Sequence, residues 1–254
     1  MEYVKALTFV TDDPRWKEKI GMATVVAFLG FLVVPILFLV GYSVRLLQNV
    51  RDGQQLPLPE WNDWSGDLAR GFKLFVVFLI WALPMILLML PITLGSILLG
   101  TGVDEDSLSA LGALGGMTMG LGYCLVFLYS LVLLAVTPAI NIWFARNEEI
   151  GEGLKLTEIW AWTVKHIGEV ILFALAYIVA SMLLSMVASI VGTLLCLVGL
   201  IVTVPLATAL TYIYPYNLIG QMAYKDQTGQ PYYMPAMPMT PPPAAGNSAP
   251  PPTE

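Results

Sequence analysis

The chain has 254 residues, 57% of them hydrophobic and only 12% charged, and its mean hydropathy is +0.74. That balance lies outside the range of soluble domains and points to an integral membrane protein. The formal net charge is -6, and the sequence has no Lys/Arg-rich run and no interleaving of basic and aromatic residues, so no nucleic-acid partner is expected.

Residues 1–19 mix eight charges with apolar Val4, Leu7, Phe9 and Trp16 and read as an interfacial N-terminal segment. They are fairly polar and no A-x-A site follows the next apolar run, so a cleavable signal peptide is not expected. The first apolar run extends from Ile20 to Val44, is interrupted by Pro35, and ends at Arg45, which can snorkel to the headgroups. Its length allows one crossing or a re-entrant hairpin. A polar connection follows, with Arg51-Asp52-Gly53 as a turn and Leu56-Pro57-Leu58-Pro59 extended, because proline restrains itself and its predecessor. Glu60 to Asp67 is rich in capping residues and introduces a helix that passes Arg70 and Lys73 into the membrane. The second span covers roughly Phe72 to Leu94, kinked at Pro84 and Pro91.

An acidic link from Gly102 to Ser107 leads to a third span from Gly116 to Phe144, closed by Trp143 and Arg146. Trp61 and Trp64 in the first connection, and Trp160 and Trp162 in the second (147–167), read as interfacial aromatics on surface helices. From Val170 to Gly220 there is no Asp, Glu, Lys, Arg or His. One helix of that length would reach roughly 75 Å at about 1.5 Å per residue, more than twice the roughly 30 Å hydrocarbon core. The run must therefore cross twice, as a helical hairpin whose backbone satisfies itself in lipid. The fold expected is all-α: about five transmembrane spans within 20–226, Trp-marked cytoplasmic surface helices, and a disordered Pro-rich tail over 227–254.

The connections at 42–73 and 141–168 and the segment at Lys225 carry the Lys and Arg residues near span ends, whereas the links at 101–110 and 192–199 carry none. Both connections and the tail are therefore assigned to the cytoplasm. The basic N-terminus conflicts with a single crossing by residues 20–44, and five crossings is the reading adopted. A degenerate echo also runs through the chain. Pro35 and Pro138 each precede an aromatic–cation pair (Tyr42/Arg45, Trp143/Arg146), then an acidic link and paired tryptophans.

The segment Gly41-Tyr42-Ser43-Val44-Arg45, followed by Leu58-Pro59-Glu60-Trp61-Asn62-Asp63-Trp64 and Gly71-Phe72-Lys73, resembles the domain of unknown function 4013 family of multi-pass membrane proteins. Leu218 to Tyr224 is similar to that family's closing motif. The resemblance implies membrane location and a helical fold, and it brings no activity, substrate or catalytic residue.

No Asp, Glu, Lys, Arg or His lies in the interior of the expected spans, Lys73 standing at the edge of the second, which argues against a carboxylate proton relay, a voltage sensor or an intramembrane protease. Tyr177, Ser181, Ser185, Ser189 and Thr193 recur every fourth residue on one helix face, either as a polar crevice or as a small-residue packing seam; the seam is favoured. Gly112, Gly116 and Gly120 form two overlapping GxxxG motifs suited to close helix contact within or between chains. Cys124 and Cys196 sit in apolar runs without metal or disulfide spacing and read as buried small hydrophobes. His166 reads as an ordinary interfacial residue. The expectation is a non-enzymatic scaffold or accessory subunit without cofactor or metal, partnered by the lipid bilayer and by a second copy or another membrane protein. The alternative is a permease-like protein for a neutral or lipidic solute.

Overall fold

The computed structural model describes residues 2–101, 110–195 and 199–232, and every regular element among them is helical. In chain order these are α1 (Lys5–Thr8), α2 (Trp16–Phe28), α3 (Val34–Arg51), α4 (Trp64–Leu88), α5 (Leu90–Thr101), α6 (Ala110–Asn147), α7 (Leu156–Lys165), α8 (Ile167–Leu194) and α9 (Leu200–Thr228). The acidic link at 102–107, Cys196 and the tail from Tyr233 lie outside the described residues.

Three stretches are long and apolar enough to cross a membrane: Trp64–Gly100, Gly112–Asn147 and Ile167–Leu194, with mean hydropathies of 2.7, 2.2 and 2.5. The sequence reading counted five. The C-terminal half of α9 carries Thr211, Tyr212, Tyr214, Tyr216 and Asn217, which dilute its apolar character, and the first apolar run is not one helix.

That first run folds back on itself. The Trp61 indole donates Nε1–H to the Lys19 carbonyl at 2.9 Å and stacks on the Tyr42 ring at 4.2 Å, so the start of α2 and the middle of α3 lie side by side. In one continuous helix those two residues would be roughly 35 Å apart. The reversal runs through a 3₁₀ turn at Leu29–Leu32 and Val33, whose φ of 65° is unusual for a β-branched residue. Phe31, Leu32, Val33 and Val34 at this tip are exposed. α2, at 13 residues, spans only about 20 Å.

α4 and α5 continue one another across Met89 and pair with α6, and α8 pairs with α9. Gly95 and Gly115 bring the α5 and α6 backbones together, and the Tyr129 hydroxyl donates to the Trp81 carbonyl at 2.7 Å. Across α8 and α9, the Thr203 hydroxyl donates to the Ala188 carbonyl at 2.9 Å. α9 packs on both α2 and α3, and the Glu2 amide donates to Gln221 Oε1 at 2.8 Å. With the first run folded back, all 12 Lys and Arg residues gather at one end of the bundle. The densest core lies just inside that end, around Tyr42, Leu46, Ile140, Phe144, Ile213 and Leu218. The opposite ends of α5, α6 and α8 present apolar side chains outward.

Candidate functional site

Two glycines fix the basic end. At Gly71 a Cβ would stand 1.8 Å from the Leu37 carbonyl oxygen, and at Gly41 it would stand 1.9 Å from the Asp67 carbonyl oxygen. α3 and α4 therefore cross backbone to backbone, and their neighbouring side chains are forced into register. One turn from Gly41, Arg45 meets Asp67 in a two-pronged pair, Nε to Oδ1 at 2.7 Å and Nη2 to Oδ2 at 2.5 Å. The same guanidinium donates to the Glu60 carbonyl at 2.9 Å and to Asn62 Oδ1 at 3.2 Å. The Asp67 side chain is 1% exposed. A carboxylate so far from water persists because its partners are forked and fixed.

Arg70, one turn along α4, donates to Asp63 at 2.9 Å and to Asp67 at 3.1 Å, and it reaches across to Glu148 at the end of α6 at 2.9 Å. Gln48 also donates to Glu148, at 2.9 Å. Glu148 has a φ of 57°, the left-handed conformation that ends a helix and favours glycine there, so its side-chain bonds hold a backbone that would otherwise prefer another residue. Asp63 caps α4 by accepting from the Gly66 amide at 3.1 Å, and its hydrogen bond to Arg70 holds its carboxyl below the usual carboxylate range. Arg45, Arg70 and Glu148 are thus saturated as a clamp joining α3, α4 and α6.

The internal echo has a three-dimensional counterpart. Arg45 lies over the Tyr42 ring and Trp61 stacks on the ring; Arg146 lies 4.1 Å over Trp143, and Trp162 meets Trp143 edge-on at 6.2 Å. In both places a tryptophan from the connection covers the aromatic–cation pair of the helix before it. This differs from the expectation of four interfacial tryptophans on surface helices. Trp64 and Trp160 are exposed, whereas Trp61 is half-buried and Trp162 is in the core. Trp61 sits in a turn and Trp64 opens α4, so only α7 in the second connection is a separate helix.

The glycine ridge also lies elsewhere than the contact within the chain. Gly115 and Gly122 meet α5, whereas Gly112, Gly116 and Gly120 have nothing within 4 Å of where a Cβ would stand. On α8 the residues buried against the rest of the bundle are Phe173, Ala180, Ala188 and Gly192. The face from Tyr177 to Thr193 runs alongside them. Tyr177 lines a cavity of about 400 Å³ between α4, α6, α8 and α9. Ser185 and Ser189 line a second of about 290 Å³; Ser181 is half-buried, and exposed Thr193 donates to the Ser189 carbonyl. The two cavities share Thr211 and Tyr212. Cys124, expected to be buried, is exposed on the outer face of α6. His166 packs on Trp162 and lies 3.7 Å from Asp226.

Sequence reasoning missed Asn141, which closes the larger cavity at its basic end. It is 2% exposed, its Nδ2 donates to the Thr137 carbonyl at 2.8 Å, and its Oδ1 has no partner. A lone Asn near a span end gives no sequence signal of that situation. Among the described residues no group of three His, Cys, Asp or Glu side chains is placed to hold a metal ion. The walls of this region are hydroxyls, amides and aromatic faces set in an apolar groove.

Comparison with curated proteins and with solved structures gives no match to either. A family model described as a protein of unknown function, DUF4013, matches residues 25–197, from α2 to the end of α8, and leaves Leu218 to Tyr224 beyond its limit. The residues that fix the basic end, Gly41, Tyr42, Arg45, Trp61, Asp67 and Gly71, all fall within the match, and the chain belongs to the DUF4013 family.

Proposed function

We propose that the protein is a non-enzymatic, multi-pass membrane scaffold or accessory subunit that works by helix packing with a second copy or another membrane protein. The observation that carries this is the ridge of Gly112, Gly116 and Gly120 on α6, which none of the described residues covers. Such a ridge lets a neighbouring helix approach closely in lipid. In this reading α4 with α5, α6, α8 and α9 cross the bilayer around a re-entrant α2–α3 hairpin. Both termini lie on the cytoplasmic side, because the basic end takes that side. This arrangement replaces the five-crossing reading and removes its conflict at the N-terminus.

The test is mass determination of the full chain in native nanodiscs, with identification of co-purifying proteins. A defined oligomer or a stoichiometric partner is expected, and Gly116→Leu is expected to release it while leaving the melting temperature within a few degrees. Wild-type protein that runs only as a monomer with nothing attached would overturn the reading.

The groove beside Ser185 and Ser189 favours a second reading, passage of a neutral or lipidic solute. It predicts that Ser185→Leu removes solute flux in reconstituted vesicles without loss of folded protein. Equal flux through wild type and variant would dismiss it.

A further inference from the structure

We propose that the cavity closed by Asn141 binds one uncharged lipid alcohol, with its hydroxyl on Asn141 and its hydrocarbon chain in the groove between α8 and α9. This site is separate from the glycine ridge and does not depend on whether the molecule moves.

The polar end is defined by an acceptor without a donor. Because Asn141 Nδ2 already donates to the Thr137 carbonyl, the amide cannot be turned over without setting two acceptors against each other, so in this cavity-lining residue it is the buried oxygen that lacks a donor among the described residues. A buried acceptor left unmet is costly, and a ligand hydroxyl is the donor it lacks. The phenols of Tyr177, Tyr212 and Tyr216 also line the cavity and make no hydrogen bond with any described residue, so each can serve the same hydroxyl as a second partner.

The walls decide the charge of the headgroup. No Asp, Glu, Lys, Arg or His lines either cavity. A phosphate or carboxylate drawn in here would lose its water with no counter-charge, so a neutral head is selected. The depth agrees. Asn141 lies five residues before Arg146 on α6, about 7 Å inside the charged layer, where an alcohol is at home and a phosphate is not.

The shape of the remainder fits a chain. From Tyr177 to Ser189 the α8 face runs about 18 Å, close to half of the roughly 30 Å hydrocarbon core, so an acyl-length chain anchored at Asn141 ends near the bilayer centre. The floor is made of small side chains, Ser185, Ala188, Ser189 and Ala207, which leave the two helices too shallow to close the groove themselves.

The experiment uses the full chain in nanodiscs and a photoreactive, alkyne-tagged analogue of hexadecanol. Labelled peptides are expected from α8 and α9 around Tyr177 to Ser189. Unlabelled hexadecanol should compete, and hexadecane and palmitate should do so at least tenfold less well. Asn141→Leu, which keeps the volume and removes the acceptor, should lower labelling about tenfold. Ser185→Phe fills the groove far from Asn141 and should lower it as well, which keeps a readout if Asn141→Leu fails to fold. Hexadecane or palmitate competing as well as hexadecanol would overturn the proposal, as would labelling that neither substitution changes or that maps to the outer faces of α5 and α6.

Discussion

Gly71→Ala is expected to dismantle the crossing of α3 and α4 and to leave little monodisperse protein after detergent extraction. The added methyl would lie 1.8 Å from the Leu37 carbonyl oxygen and 3.1 Å from the Gly41 amide nitrogen. Both are backbone atoms inside a helix, so no rotamer change can relieve the clash and the helices must separate. Overpacking a core commonly costs about 1–3 kcal/mol when side chains can yield; here the displaced atoms belong to the frame, and the cost lies above that range. Separation would also pull Arg45 from Asp67, since the same crossing sets their register. Gly41→Ala should behave alike, because its methyl would meet the Asp67 carbonyl oxygen at 1.9 Å. Gly21→Ala, with nothing within 4 Å, is the matched control and should melt like wild type. A Gly71→Ala protein with the wild-type melting temperature would refute the close crossing.

The second large effect concerns the charge that the crossing buries. Arg45→Met removes the forked partner of a carboxylate that is 1% exposed and leaves it only the longer contact to Arg70. Breaking a buried pair from one side typically costs about 3–5 kcal/mol, which would consume much of the stability of an ordinary domain. Arg45→Lys should recover little, because one ammonium cannot reproduce bonds to both Asp67 oxygens, the Glu60 carbonyl and Asn62 together. Removing the charge from both sides, Arg45→Met with Asp67→Leu, should restore most of the loss. Thermal unfolding of the four proteins in one detergent checks this as a double-mutant cycle. Additive losses would mean that the two residues do not act as a pair.

The helical class and the presence of long apolar helices were legible because they follow from long averages, such as the charge-free run from Val170 to Gly220, which does not depend on how any side chain turns. The basic end was legible as a set of residues but not as an arrangement. Arg45 and Asp67 stood out as charges flanking spans, yet their pairing depends on the approach of Gly41 and Gly71, which no local pattern encodes. The first apolar run left two readings open, one crossing or a re-entrant hairpin, and the adopted one did not include the reversal at residues 29–33. Length and hydropathy cannot separate one crossing from a hairpin; the deciding contact is Trp61 on Lys19 and Tyr42, residues far apart in sequence. The glycine ridge and the hydroxyl face were both seen with the correct period. What the period cannot supply is the phase relative to a neighbour, so the α5–α6 contact fell to Gly115 and Gly122, and the α8 contact to Ala180 and Ala188.

The position of α9 has a consequence for how the chain is made. α2 and α3 are made well before α9, but α9 is a surface they pack on, and the Glu2 amide finds its partner at Gln221, 219 residues later. Until α9 is made, the N-terminal hairpin is held by α4, by α6 and by the clamp at Arg45. Assembly therefore closes like a ring, with α2 and α3 meeting α9 only after everything between them has been made. A chain stopped before Leu200 would insert its earlier helices and yet leave the hairpin's α9-facing side open to membrane proteases and to other chains. Ring closure of this kind makes α9 a proofreading step on the helices that precede it.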